Sequence, residues 1–202
     1  MLGKTLVQAL RDTWAAVGEL GQPAAIMGGI AMTAWRHPRN TRDVDILIGV
    51  SSTSPDEILR AMQAHGCRPL RFPALVTVGK DRFFQFLYTP PGTFVDIKID
   101  LLLAESAYHQ TALSRRRIFD WPEFGLKVET LSYEDLILHK LLADRMIDRA
   151  DVVALLLANR DSLDYSYLGT WLKTLSLTAD WAERWHEAFP NDPPPAALGL
   201  TP

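Results

Sequence analysis

Only one cysteine, Cys67, occurs in the 202 residues, so no internal disulfide can form and no zinc site can rest on thiolates alone. Long apolar runs are missing too. Nowhere does the chain reach the roughly 18 apolar residues of a membrane span, and the opening MLGKTLVQALRDTWAAVGEL has Arg11 and Asp12 where a signal peptide needs an unbroken apolar stretch. The expectation is a cytoplasmic protein with no membrane association. There is no internal repeat, and 48% hydrophobic against 22% charged residues excludes a disordered or fibrous chain. A strong charge of one sign is also absent, since the net charge is −3. Residues 36–127 carry thirteen Lys and Arg against ten Asp and Glu, and residues 128–202 carry six against twelve. An excess of +3 in the first of these is too small to announce nucleic-acid binding, so charge alone designates no partner.

What is there is a periodic pattern. Leu2, Leu6, Leu10, Trp14 and Val17 mark one face of an opening helix that Gly21 and Pro23 terminate. A short strand at 24–27, a short helix over 30–35 and a strand at 43–50 follow, the last reading DVDILIGV, apolar enough for a sheet interior. Ser54 and Pro55 start a helix to about His65. The runs 74–78, 83–88 and 94–103 predict an antiparallel meander, before a helix over 107–118 and a strand at 126–130. Ser132 caps the first of four helices, expected at 136–146, 150–158, 165–174 and 179–188. This gives an α+β fold with a core over residues 1–130, a C-terminal helical region over 131–190 packed on that core, and a mobile tail over 191–202.

Asp43 and Asp45 are two apart on one strand, so they share a face with Cα atoms about 6 to 7 Å apart. Acids there are costly unless exposed, paired or metal-bound; both an exposed strand end and a metal site remain open for Asp43-Val44-Asp45 alone. Gly28-Gly29, fifteen residues before Asp43, falls at a strand-to-helix junction, where a turn without Cβ atoms lets phosphate approach backbone N–H groups. A tight turn and nothing more is the alternative. Together, turn and acidic strand suit a triphosphate bridged by Mg²⁺. A third acid would come from FVDIKIDLLL, where Asp96 and Asp100 flank Lys98; Asp100, among Ile97, Ile99, Leu101 and Leu102, is the costlier of the two, and Asp96 reads as an exposed strand start.

At these residues the sequence resembles a family. GGIAMTAWRHPRNTRDVDILI is similar to the glycine turn and Asp-x-Asp strand of the nucleotidyltransferase fold, in the version of AbiEii-like toxins and minimal nucleotidyltransferases. IDLLLAESAYHQTALSRRR and GLKVETLSYEDLILHKLLADRMIDRADVVALL resemble the downstream half of the same group. The resemblance spans about residues 24–157. It implies a small mixed sheet flanked by helices and an Mg²⁺-dependent enzyme moving a nucleoside monophosphate from an NTP to an acceptor hydroxyl, with a toxin of a toxin–antitoxin pair among the roles and a cognate antitoxin as partner.

Residue by residue, the resemblance assigns Gly28 and Gly29 to the phosphate turn, Asp43 and Asp45 to two metal ions and Asp100 to the third carboxylate. Lys140 matches a lysine facing the triphosphate, with Asp148 and Asp151 as the acidic pair after it. Lys140 and Asp144 are also spaced to pair on one helix, and Asp148 to cap the next. Many nucleotidyltransferases have Gly-Ser at the turn; Gly29 here leaves backbone groups to make the contact, as in the AbiEii-like branch. Arg42, and less so Arg36 and Arg39, stands where it could bind phosphate, while Thr41 reads as a cap of the turn. His37, His65, His109 and His139 have no ligand spacing with one another or with Cys67. Arg115, Arg116 and Arg117 face several sides of the expected helix, as a solvated surface does. The acceptor, a tRNA end, a protein side chain or a small molecule, stays open. So do two rivals: a glycosyltransferase, disfavoured because only 42 residues precede Asp43, and a non-catalytic partner-binding or regulatory component that keeps the fold.

Overall fold

The computed structural model describes residues 2–199, which divide into two compact units: residues 2–31 with 38–131, and residues 32–37 with 132–199. The first unit holds the whole sheet. Helix α1 (Lys4–Glu19) leads into β1 (Ala24–Met27), α2 (Gly28–Ala34, whose last turn belongs to the second unit) and β2 (Asp43–Gly49). Helix α3 (Pro55–Ala64) precedes β3 (Arg68–Pro69), β4 (Leu75–Val78), β5 (Asp81–Tyr88) and β6 (Ile97–Ala104). Then come α4 (Ala107–Ser114), β7 (Arg117–Trp121) and β8 (Leu126–Thr130). The strand order is β3-β5-β6-β2-β1-β8-β7, with β4 also paired to β5. Strands β2 and β6 are parallel, as are β1 and β8, and the remaining pairs are antiparallel, so the sheet is mixed.

Alternation decides which face of this sheet is dry. Val44, Ile46 and Ile48 of β2, Ile97, Ile99, Leu101 and Leu103 of β6, and Phe84 and Phe86 of β5 are all buried. Helices α1 and α3 belong to this core through Leu6, Leu10, Val17, Ile58 and Met62. Tyr88, two residues beyond Phe86 on β5, donates its hydroxyl to Asp12 of α1 at 2.7 Å. Burial, with Asp12 nearby, pushes the Cys67 thiol up to about 12, which makes it an inert core residue.

The second unit is helical: α5 (Tyr133–Ala143), α6 (Met146–Asn159), α7 (Tyr165–Thr174) and α8 (Thr178–Ala188). Leu136, Ile137, Val152, Leu155, Leu156, Leu168, Leu172, Trp181 and Trp185 are buried. Residues 191–199, part of the segment expected to be mobile, make defined contacts here. Leu198 is buried, the Trp185 indole donates to the Asp192 carbonyl at 2.9 Å, and Arg160 pairs with Asp192 at 2.7 Å. Residues 200–202 of that segment lie outside the described residues.

Several sequence expectations need correction. The helix expected over 107–118 ends at Ser114, and Arg117–Trp121 is a strand hairpinned onto β8 through Pro122–Phe124 and left-handed Gly125. Arg115 is therefore a helix C-cap and Arg117 a strand residue, so the three arginines do not share a helix. The strand expected from Phe94 starts at Ile97, after Pro90, Pro91 and Gly92, and the two-residue β3 had no periodic signal at all. Among the described residues no helix is long and apolar enough to cross a membrane.

Candidate active site

Strand β2 enters the sheet with Asp43 and Asp45 half-exposed on the face opposite Val44 and Ile46. Pairing then extends this polar face sideways. Asp45 is directly opposite Asp100 on β6 and Met27 on β1, and Asp100 is opposite Gln85 on β5. The row before it runs Arg68, Leu87, Lys98, Asp43. Paired residues of neighbouring strands lie about 5 Å apart and point to the same side, so three carboxylates from two strands share one half-exposed patch. Asp100 is held at both carboxylate oxygens: Lys98 Nζ lies 2.6 Å from its Oδ2, and Gln85 Nε2 donates to its Oδ1 at 3.0 Å. Asp96 precedes the strand and binds Arg68 at 2.6 Å and the Thr89 hydroxyl, in an exposed cluster at the Arg68 end of that row.

The glycine turn closes against the same patch. Gly28 has φ +61°, and a Cβ there would run into the Asp45 carboxylate; one at Gly29 would come within 2.6 Å of Thr41 Oγ1 and 3.3 Å of Arg39 Nη2. A larger residue at position 28 would displace Asp45, and one at position 29 would displace Thr41. Thr41 and Arg39, read from sequence as a turn cap and a solvated loop residue, are thus packed behind the turn, while Arg42 is exposed next to Asp43. Asp43, Asp45 and Asp100 supply only carboxylate oxygens, the donor type that Mg²⁺ takes, and the donor set fits that ion. In the arrangement described, with Lys98 on Asp100, no three His, Cys, Asp or Glu side chains among the described residues are gathered closely enough to hold a metal.

Lys140 belongs to the second unit and has a different environment. It is 5% exposed and contacts both Asp148 Oδ1 at 2.7 Å and Asp151 Oδ2 at 2.8 Å. Asp148 also receives Arg145 Nε at 2.6 Å and accepts from the Arg145 backbone N–H at 3.3 Å, the hydrogen bond that starts α6. Burial pushes the Asp148 carboxyl up, but hydrogen bonds from Arg145 and Lys140, with their charges, outweigh it and hold the carboxyl below its ordinary value. Asp144, the partner that spacing allowed for Lys140, pairs with Arg149 instead at 2.7 Å. The pairing of Lys140 with Asp151, eleven positions on, leaves no local signal in the sequence because the two meet only through the turn between two helices. Gln85 was missed altogether, although one amide inside the aromatic strand RFFQFLY was the available signal.

His65 hydrogen-bonds Glu19 at 2.9 Å, and burial holds the His109 imidazole below its usual range. Neither lies on a strand of the sheet.

Comparison with known proteins bears on this geometry. The family model described as nucleotidyl transferase AbiEii toxin, type IV toxin–antitoxin system, matches residues 8–196. No curated protein matches the sequence. Among solved structures, an antigenic nucleotidyltransferase-like protein from Paracoccidioides brasiliensis is 18% identical with a TM-score of 0.54 over 98% of both chains. JHP933 from Helicobacter pylori is 15% identical with a TM-score of 0.53, over 95% of this chain and 83% of its own. The antibiotic-resistance factor ANT(2'')-Ia is 18% identical with a TM-score of 0.52, over 92% and 96%. At such identities the likeness is one of fold. The family match rests on the sequence itself and runs from α1 to beyond α8, and by it the chain belongs to the AbiEii nucleotidyltransferase toxin family.

Proposed function

We propose that the chain transfers a nucleoside monophosphate from an NTP to an acceptor hydroxyl at the acidic face of its sheet, as the toxin of a toxin–antitoxin pair working in the cytoplasm. The observation that carries this reading is the register of Asp45 against Asp100, with Asp43 two residues earlier on the same face. Asp43, Asp45 and Asp100 would hold two Mg²⁺ ions, which when bound neutralise the triphosphate and lower the pKa of the attacking hydroxyl. The chain's own residues do the rest. Backbone N–H groups of the Gly28-Gly29 turn cradle phosphate, and Arg42 adds a positive charge beside it. Asp100 would accept the acceptor's proton while pyrophosphate leaves. Aligning the hydroxyl with the α-phosphorus is the main contribution of a site built this way. Lys140 is the central cation of its own acidic pair, and a part in holding the triphosphate would require it to leave Asp148 and Asp151.

The second reading, a non-catalytic component that binds a cognate partner, is favoured by one feature: the lysine already seated on Asp100. Labelling separates the two. Protein incubated with each α-³²P-labelled NTP, Mg²⁺ and, in turn, tRNA, cellular protein or an aminoglycoside should give a labelled acceptor that Asp45→Ala does not. No label with any NTP, and a melting temperature identical in EDTA and in Mg²⁺-NTP, would favour the binding component.

A further inference from the structure

Gln85 is a single amide in a strand otherwise built from Phe83, Phe84, Phe86, Leu87 and Tyr88. Its side chain bridges two charged groups. Arg71, in the segment between β3 and β4, donates through Nη2 to Gln85 Oε1, and Gln85 Nε2 donates to Asp100 Oδ1 at 3.0 Å. An amide has one acceptor oxygen and one donor nitrogen, so the guanidinium on the oxygen dictates that the nitrogen faces the carboxylate. The other carboxylate oxygen is held by Lys98 at 2.6 Å.

We infer that Gln85, oriented by Arg71, is the positioning residue for Asp100; this rests on the reading of Asp100 as the third carboxylate. The two contacts on Asp100 are not equivalent. Lys98 is a flexible cation two residues away on the same strand, and a divalent cation competes directly with it for the carboxylate. Gln85 is neutral, comes from the neighbouring strand and is anchored at its far end, so it stays on Oδ1 when Lys98 yields Oδ2. Without it, the carboxylate is free to rotate once the lysine leaves, and ligand geometry needs to be held within about 0.5 Å. Arg71 is exposed, so this support reaches from the third carboxylate to the solvent-facing loop after β3.

Mn²⁺ binding to the full chain, read by electron paramagnetic resonance, tests this without turnover. Gln85→Leu should weaken Mn²⁺ binding about 10 to 100-fold, as loss of a group that orients a ligand does, and lower kcat for nucleotide transfer with little change in KM for the NTP. Gln85→Asn, polar but too short to span both partners, should show the same loss. Arg71→Leu should act in the same direction by less, and add nothing in the Gln85→Leu background, since residues in one relay are non-additive. Wild-type Mn²⁺ affinity in both Gln85 variants overturns the proposal, whatever their melting temperatures. Full additivity of Arg71→Leu overturns the relay. A wild-type chain that takes up no Mn²⁺ overturns the metal reading of Asp100, and this proposal with it.

Discussion

Aspartates gather in two places in this protein, and the two gatherings are opposites. On the sheet, Asp43, Asp45 and Asp100 are half-exposed, come from two paired strands and have Lys98 against one of them. In the helical unit, Asp148 and Asp151 are 0% and 2% exposed and enclose Lys140, with Arg145 closing the outer side of Asp148. Desolvation explains the difference. A buried carboxylate survives only with its charge matched in place, whereas a half-exposed one can leave charge to water and exchange it for a cation. The helical cluster ties α5 to α6 through Lys140, and the sheet cluster keeps its carboxylates half-exposed, as the proposed metal site requires.

Breaking the buried cluster should give the larger effect. Lys140→Met leaves two buried carboxylates facing an apolar chain, and losing one partner of such a set costs about 3–5 kcal/mol; denaturant titration should show it, and a stability near wild type would mean water enters the cluster. Asp43→Ala and Asp45→Ala should do the reverse. They abolish transfer, by more than about 100-fold given that even orienting residues cost 10 to 100-fold, while stability stays within about 0.5 kcal/mol as for other half-exposed positions. Activity within tenfold of wild type would remove them from the metal site.

Acid sharpens the comparison further. The folded-state carboxyl of Asp148 lies below its ordinary 3.8, so its contribution to stability is complete above that value and is lost as pH falls through the depressed folded value. Denaturation midpoints should hold down to about pH 5 and then drop, and Asp148→Asn should show a shallower acid limb from a lower starting stability. The smallest effect separates two neighbours on one segment. Asp100→Asn should keep the fold yet lose transfer and Mg²⁺ binding; Asp96→Asn weakens an exposed cluster with Arg68 and the Thr89 hydroxyl and should change stability by less than about 1 kcal/mol. Full activity in Asp100→Asn with loss in Asp96→Asn would place the third carboxylate four residues earlier.

Much of this was legible in the chain. The period-two run DVDILIG fixed both a strand and the shared face of its acids, because side-chain direction alternates whatever the strand pairs with. Ser132 and Ser54 announced helix starts that hold, each accepting a backbone N–H bond. The hairpin at Arg117–Thr130 was not legible, since ALSRRRIF is as good a helix end as a strand start and only pairing with β8 chooses. Arg71, Gln85 and Asp100 stand 14 and 15 residues apart, with no local pattern linking them.

The sequence by itself determined the alternation, the caps, the glycines of the turn and the family, all of which depend on neighbours within a few residues or on the order of motifs. Only the tertiary structure decided that Asp45 faces Asp100, that Gln85 and Lys98 divide the two oxygens of that carboxylate, and that Lys140 belongs to Asp148 and Asp151 rather than Asp144. The reason is that strand register and the turn between helices set these partners, and both are fixed by burial of the opposite, apolar face, a sum over the whole core that no short stretch of sequence contains.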